Sequence, residues 1–155
     1  MDLKENVVRL NKLLLSQDPL YGQHGFFTAY PGVTGSAASL LAMVFGEGEP
    51  AHLAVDTDSI AQGKVTIRAF GDGFLLTIEI QEDRVTNIFV GRGELSHLSV
   101  AEWANAMHWT DATFARVVLR YGESPEFTLP AKNASATNRQ EFASFWPQLL
   151  ADLDR

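Results

Sequence analysis

The residues of this 155-residue chain that could do chemistry are its four histidines and its closely spaced carboxylates, since it has no cysteine. Without cysteine there is no disulfide, no thiolate nucleophile and no thiolate metal site. His24, His52, His97 and His108 show none of the close pair spacings of a zinc motif. His52 with Asp56 and Asp58 could offer an imidazole and carboxylates from a strand end and its loop, a donor set suited to magnesium or calcium. The glycine spacing of an EF-hand loop is missing, which favours a solvated acidic loop beside an unrelated histidine. Asp56 and Asp58 could act as an acid–base pair only if burial drove their pKa values apart. Thr57 and Ser59 instead fit an exposed turn bonded to its own backbone. No metal, cofactor or catalytic residue is expected.

Gly32-Val33-Thr34-Gly35-Ser36 is the nearest approach to a phosphate-cradling loop. It lacks the lysine that follows the last glycine of a Walker A loop, and Ser36 sits in no Gly-x-Ser-x-Gly elbow. A plain turn is expected. Trp103, Trp109 and Trp146, with ten phenylalanines, could line a small-molecule pocket between sheet and helices. Aromatic residues at helical spacing more often build a core.

The strongest signal is electrostatic. No lysine or arginine occurs between Lys12 and Lys64, a stretch that holds Asp18, Glu47, Glu49, Asp56 and Asp58. A field of one sign attracts basic partners and repels acidic ones. The net charge of −7 and pI near 5.0 argue against nucleic-acid binding, which needs clustered cations. Arg116 and Arg120 are a closely placed cationic pair, and one pair is no footprint for a phosphate backbone. The longest apolar run, Ala37 to Phe45, is far shorter than the roughly 20 residues that span a bilayer. Met1-Asp2-Leu3-Lys4 does not begin a basic-then-apolar leader, so a cytoplasmic protein is expected and Asn133-Ala134-Ser135 is a chance sequon.

The elements that must position these groups read as a single α+β domain over residues 1–155, an antiparallel β-meander packed against N-terminal, central and C-terminal helices. Asp2 and Glu5 have capping-box spacing before a helix with Leu3, Val7, Leu10 and Leu14 on one face. Phe26 to Tyr30 reads as a short strand, Ser39 to Phe45 as a strand or short helix, and His52 to Val55 as a strand. From Lys64 to Val90 the alternation predicts a meander. A type I′ turn at Asp72-Gly73 sets Ile67 opposite Ile78 and Val65 opposite Ile80, with Arg68 diagonal to Glu79. At the next turn a two-residue loop would place Asn87 opposite Ile78, and a buried unpaired amide costs about 1–3 kcal/mol. A longer loop, with Ile88 opposite Ile78, is therefore expected. Phe70, Leu75 and Phe89 then share one end of the outer face and form a docking patch if no layer covers them. Ser99 to Glu102 reads as a capping box opening a central helix with Val100, Trp103, Ala104 and Met107 inward. Phe114 to Tyr121 fits helix or strand, with strand favoured and a hairpin to Glu126–Leu129. A final helix from about Thr137 carries Phe142, Phe145, Trp146, Leu149, Leu150 and Leu153, and Pro147 should kink or divide it.

This order of helix, meander, helix, hairpin and helix resembles the layout of class I type III secretion chaperones, which are small and acidic. No motif matches, and the segment from Gly22 to Gly63 has no counterpart in that layout. The expected function is a non-enzymatic module that sequesters one basic protein partner, as an immunity protein, inhibitor or secretion chaperone does. Glu47, Glu49, Asp56 and Asp58 would steer the partner, and Phe70, Leu75 and Phe89 would anchor it. A small-molecule-binding domain or modest enzyme, and a homodimer joined through the sheet, are the alternatives.

Overall fold

Asp2 caps the first helix as its sequence predicts: its side chain accepts from the Glu5 amide at 2.8 Å, and α1 runs over Leu3–Leu15. The computed structural model describes residues 2–103 and 115–155. Two helices follow, over the expected Phe26–Tyr30 strand, the Gly32–Ser36 turn and the Ser39–Phe45 segment that fits strand or helix. Phe26 and Phe27 are both buried, which a strand facing one core could not achieve, because adjacent side chains would point to opposite faces. His24 instead accepts from the Phe26 amide at 3.1 Å through its ring Nδ1 and caps the short helix α2 (Gly25–Ala29). Gly32 to Ser36 is no free turn either: α3 spans Val33–Phe45. Its small buried residues Ala37 and Ala38, with Leu41, allow close packing against α1 and the sheet.

Four antiparallel strands form the first sheet in the order β1-β2-β3-β4, over His52–Asp56, Lys64–Phe70, Phe74–Gln81 and Arg84–Gly91. The first hairpin has the expected register, with Ile67 opposite Ile78, Val65 opposite Ile80, and Arg68 one step from the Thr66–Glu79 pair. Of its turn residues only Gly73 is left-handed, at φ 84°, so the turn is not type I′. The second hairpin corrects the expected register. Gln81 pairs with Arg84 across a two-residue loop, and Asn87 lies opposite Ile78. Glu82 adopts φ 57° and donates its amide to Gly63 O at 2.8 Å, which pins the short loop. Asn87 pays no burial cost because β4 is an edge strand and Asn87 is exposed. The shift turns Phe89 to the helical side, opposite Leu76, and puts Val90 beside Leu75. Phe70, Leu75 and Phe89 therefore do not share a face.

A second sheet has the order β5-β6-β7, over Leu95–Trp103, Ala115–Tyr121 and Phe127–Leu129. The Ser99–Glu102 capping box is part of β5, not a central helix: Ser99 pairs with Val118, Glu102 with Arg116, and a bulge falls between Val100 and Glu102. A cap contributes about 1 kcal/mol, less than a ladder and a packed strand together can offer. Ala104, Met107, His108, Trp109 and Phe114 lie outside the described residues. The central helices of this α+β fold come earlier, as α2 and α3, so the element order departs from the secretion-chaperone layout. Last comes α4 (Ala136–Ala151), capped by Ser135 and continuous through Pro147.

One face of the first sheet packs on α1, α2 and α3 through Leu53, Val55, Val65, Ile67, Leu76 and Ile78. The opposite face meets a second core, in which Phe70 and Leu75 pack with Leu119, Tyr121, Phe142 and Phe145. A buried ion pair closes this second core. Arg92, in the short 3-10 turn between the sheets, donates its Nε to both oxygens of Asp152 at 3.0 and 2.9 Å. Arg92 also reaches Gly71 O at 3.0 Å, and Tyr121 donates its hydroxyl to Asp152 at 3.1 Å. Burial and the Asp152 charge push the Tyr121 phenol well above its ordinary pKa, so it stays a donor. Asp152→Ala should lower the unfolding free energy by about 3 kcal/mol or more, because Arg92 is left charged and buried. Arg92→Met with Asp152→Leu should recover most of that loss in urea denaturation; equal stability of Asp152→Ala and the parent would contradict the assignment.

Candidate functional site

The outer face of the first sheet divides along its strands. At one end His52, Phe70, Leu75 and Val90 lie in adjacent rows and are covered by α4 and the second sheet. At the other end Asp56, Thr66, Arg68, Thr77, Glu79 and Ile88 line a cleft of about 250 Å³. The β6–β7 loop overhangs it with Ser124, Glu126 and Phe127. Arg68 forms the floor: its guanidinium lies 4.0 Å from the Phe127 ring centroid and 3.9 Å from Asp56 Oδ2. Burial lowers the Arg68 pKa to about 10 against the opposing pull of Asp56 and Glu79, and it remains a cation at neutral pH. Lys64 approaches Glu79 at 3.5 Å on the open side.

The acidic stretch is not cation-free in space. Arg9 clamps the turn after α3, donating to Gly46 O at 2.9 Å and Gly48 O at 3.0 Å, and meets Glu49 at 3.5 Å. Asp56 has Arg68, and Asp58 has Lys132 at 3.5 Å. Glu47 and Glu49 precede β1 whereas Asp56 ends it and Asp58 follows, so the two pairs lie at opposite ends of the strand. Asp18 is fully buried, accepting from Thr57 Oγ1 at 2.8 Å and the Leu20 amide at 2.8 Å. Its carboxyl is raised above the ordinary aspartate range because burial outweighs those hydrogen bonds. Phe70 and Leu75 are 0% and 2% exposed and cannot anchor a partner. Of the three apolar candidates only Phe89, 50% exposed, faces solvent, with Ile88 beside it at 62%.

His52 does not face Asp58. Its ring stacks on Phe145 at 4.9 Å and 10°, with Phe70 and Phe142 nearby, and Nε2 has no hydrogen-bond partner. Among the described residues no three His, Asp or Glu side chains converge as metal ligands. Arg116 and Arg120 each meet a carboxylate, Glu102 at 3.8 Å and Glu123 at 3.5 Å. No helix among the described residues is long and apolar enough to cross a membrane.

Burial drops the His52 pKa to about 4, so the folded protein holds this ring neutral while the unfolded chain protonates it near its ordinary 6.5. Stability should therefore fall as pH drops from 7 toward 5, by about 2 kcal/mol from this group. Asp18 and Glu141, both raised by burial, act in the opposite sense. Comparing the parent with His52→Phe isolates the histidine: the variant should lose that acid-side slope in urea titrations, and an unchanged slope would refute the assignment. No protein-family model matches the chain, and neither does any curated protein or solved structure among those compared with it.

Proposed function

We propose that this protein is a non-enzymatic binding module that sequesters a basic protein partner, as an immunity protein, inhibitor or secretion chaperone does. The observation that carries this reading is the edge of β4, with which no described strand other than β3 pairs. The strand opens on one charge, Arg84, and its other residues, 85–91, Val-Thr-Asn-Ile-Phe-Val-Gly, include no charge and no proline, the usual guards of an edge strand. The strand ends the first sheet, and Ile88 and Phe89 expose apolar surface on its two faces. An extended segment could add to it by backbone hydrogen bonds while those side chains set specificity.

Charge selects the occupant. Exposed Glu82 and Asp83 precede β4 beside its first residue, Arg84; at the other end exposed Glu94 follows the strand, and exposed Asp72 lies in the turn before β3, whose Phe74 pairs with Gly91. With a net charge of −7, this arrangement favours a β-forming segment with lysine or arginine on both sides. Steering is assigned to these four carboxylates, which outnumber the adjacent Arg84, rather than to Glu49, Asp56 and Asp58, which are held in ion pairs with Arg9, Arg68 and Lys132.

The test uses a defined probe, the labelled peptide Lys-Lys-Val-Thr-Val-Thr-Val-Lys-Lys, in fluorescence anisotropy. Saturable binding that weakens with added salt is expected. Phe89→Ser should weaken it about tenfold, and Glu82→Lys with Asp83→Lys should flatten its salt dependence. A peptide that fails to bind, or binds both variants as it binds the parent, overturns the β4 assignment.

A further inference from the structure

The cleft above Arg68 is distinct from the β4 backbone edge, and its chemistry is unbalanced in two respects. First, Arg68 is nearly enclosed, with its side chain 15% exposed. It makes no hydrogen bond to any described residue; Asp56 at 3.9 Å is an ion pair beyond hydrogen-bond reach, and Phe127 offers only its ring face. A guanidinium in that position calls for a planar acceptor, which a carboxylate matches. Second, the charges lining the cleft do not cancel. Asp56 pairs with Arg68 and Glu79 with Lys64, so that Glu126, on the overhanging loop, is a third carboxylate against two cations in the lining; on its other side it shares a groove with Arg120.

A plain anion would satisfy Arg68 but meet Asp56, Glu79 and Glu126. A plain cation would satisfy Glu126 but meet Lys64 and Arg68. A molecule carrying both charges answers both. Ile88 and Val90 supply an apolar wall, and hydroxyls of Thr66, Thr77 and Ser124 lie around it. The volume of about 250 Å³ suits a ligand of amino-acid size. We propose that this cleft binds a small aliphatic zwitterion, a free amino acid whose carboxylate meets Arg68 and whose ammonium group meets Glu126.

The experiment titrates the purified full chain with L-leucine and with ε-aminocaproate, which differ in the spacing of their charges, by calorimetry and thermal denaturation. Isocaproate and isoamylamine serve as probes carrying one charge each. At least one zwitterion should bind and raise Tm with concentration, and each single-charge probe should bind at least about tenfold more weakly. Arg68→Gln should abolish binding. Glu126→Gln, on an exposed loop, should weaken it about tenfold while leaving the Tm of the free protein unchanged. Silence with both zwitterions, equal binding of either single-charge probe, or undiminished binding by Glu126→Gln would overturn the proposal. Neither variant alters Phe89, Glu82 or Asp83, so the peptide assay on β4 stands or falls separately.

Discussion

Arg92 and Asp152 hold three parts of the molecule at one point: the turn of the first sheet through Gly71, β6 through Tyr121, and the end of α4 through Asp152 itself. Burying two charges costs several kcal/mol per ion, and the cost is met only where every donor and acceptor is used. Here Asp152 receives Arg92, Tyr121 and Arg155, while the Arg92 guanidinium also lies over the Phe70 and Phe145 rings at 5.9 and 5.4 Å. The neighbouring glycines make room for this. At Gly71 a Cβ would collide with the Phe74 ring, and at Gly93 it would come within 3.2 Å of Arg155.

What sequence pattern could reveal was the part of the fold governed by local period. The first hairpin is legible because Val65, Ile67, Ile78 and Ile80 must lie on one face, and a slip by one residue would expose all of them. The same reasoning fails at β4, because it assumes that a position opposite Ile78 is buried, and at an edge strand it is not. Ser99–Glu102 fails for a different reason: a capping signal is local, while pairing with β6 is made by residues 14 to 19 positions away. The Ala115–Tyr121 strand was readable from its β-branched residues.

Charges were the least legible feature. The stretch from residue 13 to residue 63 lacks cations along the chain, yet Arg9, Arg68 and Lys132 reach its carboxylates from outside. Spatial neutralisation of this kind leaves no trace in spacing. Arg92 likewise stands between Gly91 and Gly93 with no motif around it, and Arg68 looks like an ordinary outward residue on an alternating strand. The cleft above Arg68 requires the β6–β7 loop to fold over the first sheet, which only the tertiary structure supplies.

The N-terminal end of α4 is tied to the far end of the chain. Ser135 donates to Ser16 O at 2.8 Å across 119 positions, and Asn138 donates to Gln17 at 2.7 Å across 121. Closing a loop of that length adds only about 0.6 kcal/mol of entropy over one half as long, so the equilibrium penalty is small. The larger effect is on timing. Contacts between the strands of the first sheet and among α1 to α3 join near neighbours and can form early, whereas α4 can dock only on a surface that already exists. Where that docking follows the rate-limiting barrier, changes in it act on how fast the native protein opens rather than on how fast it forms.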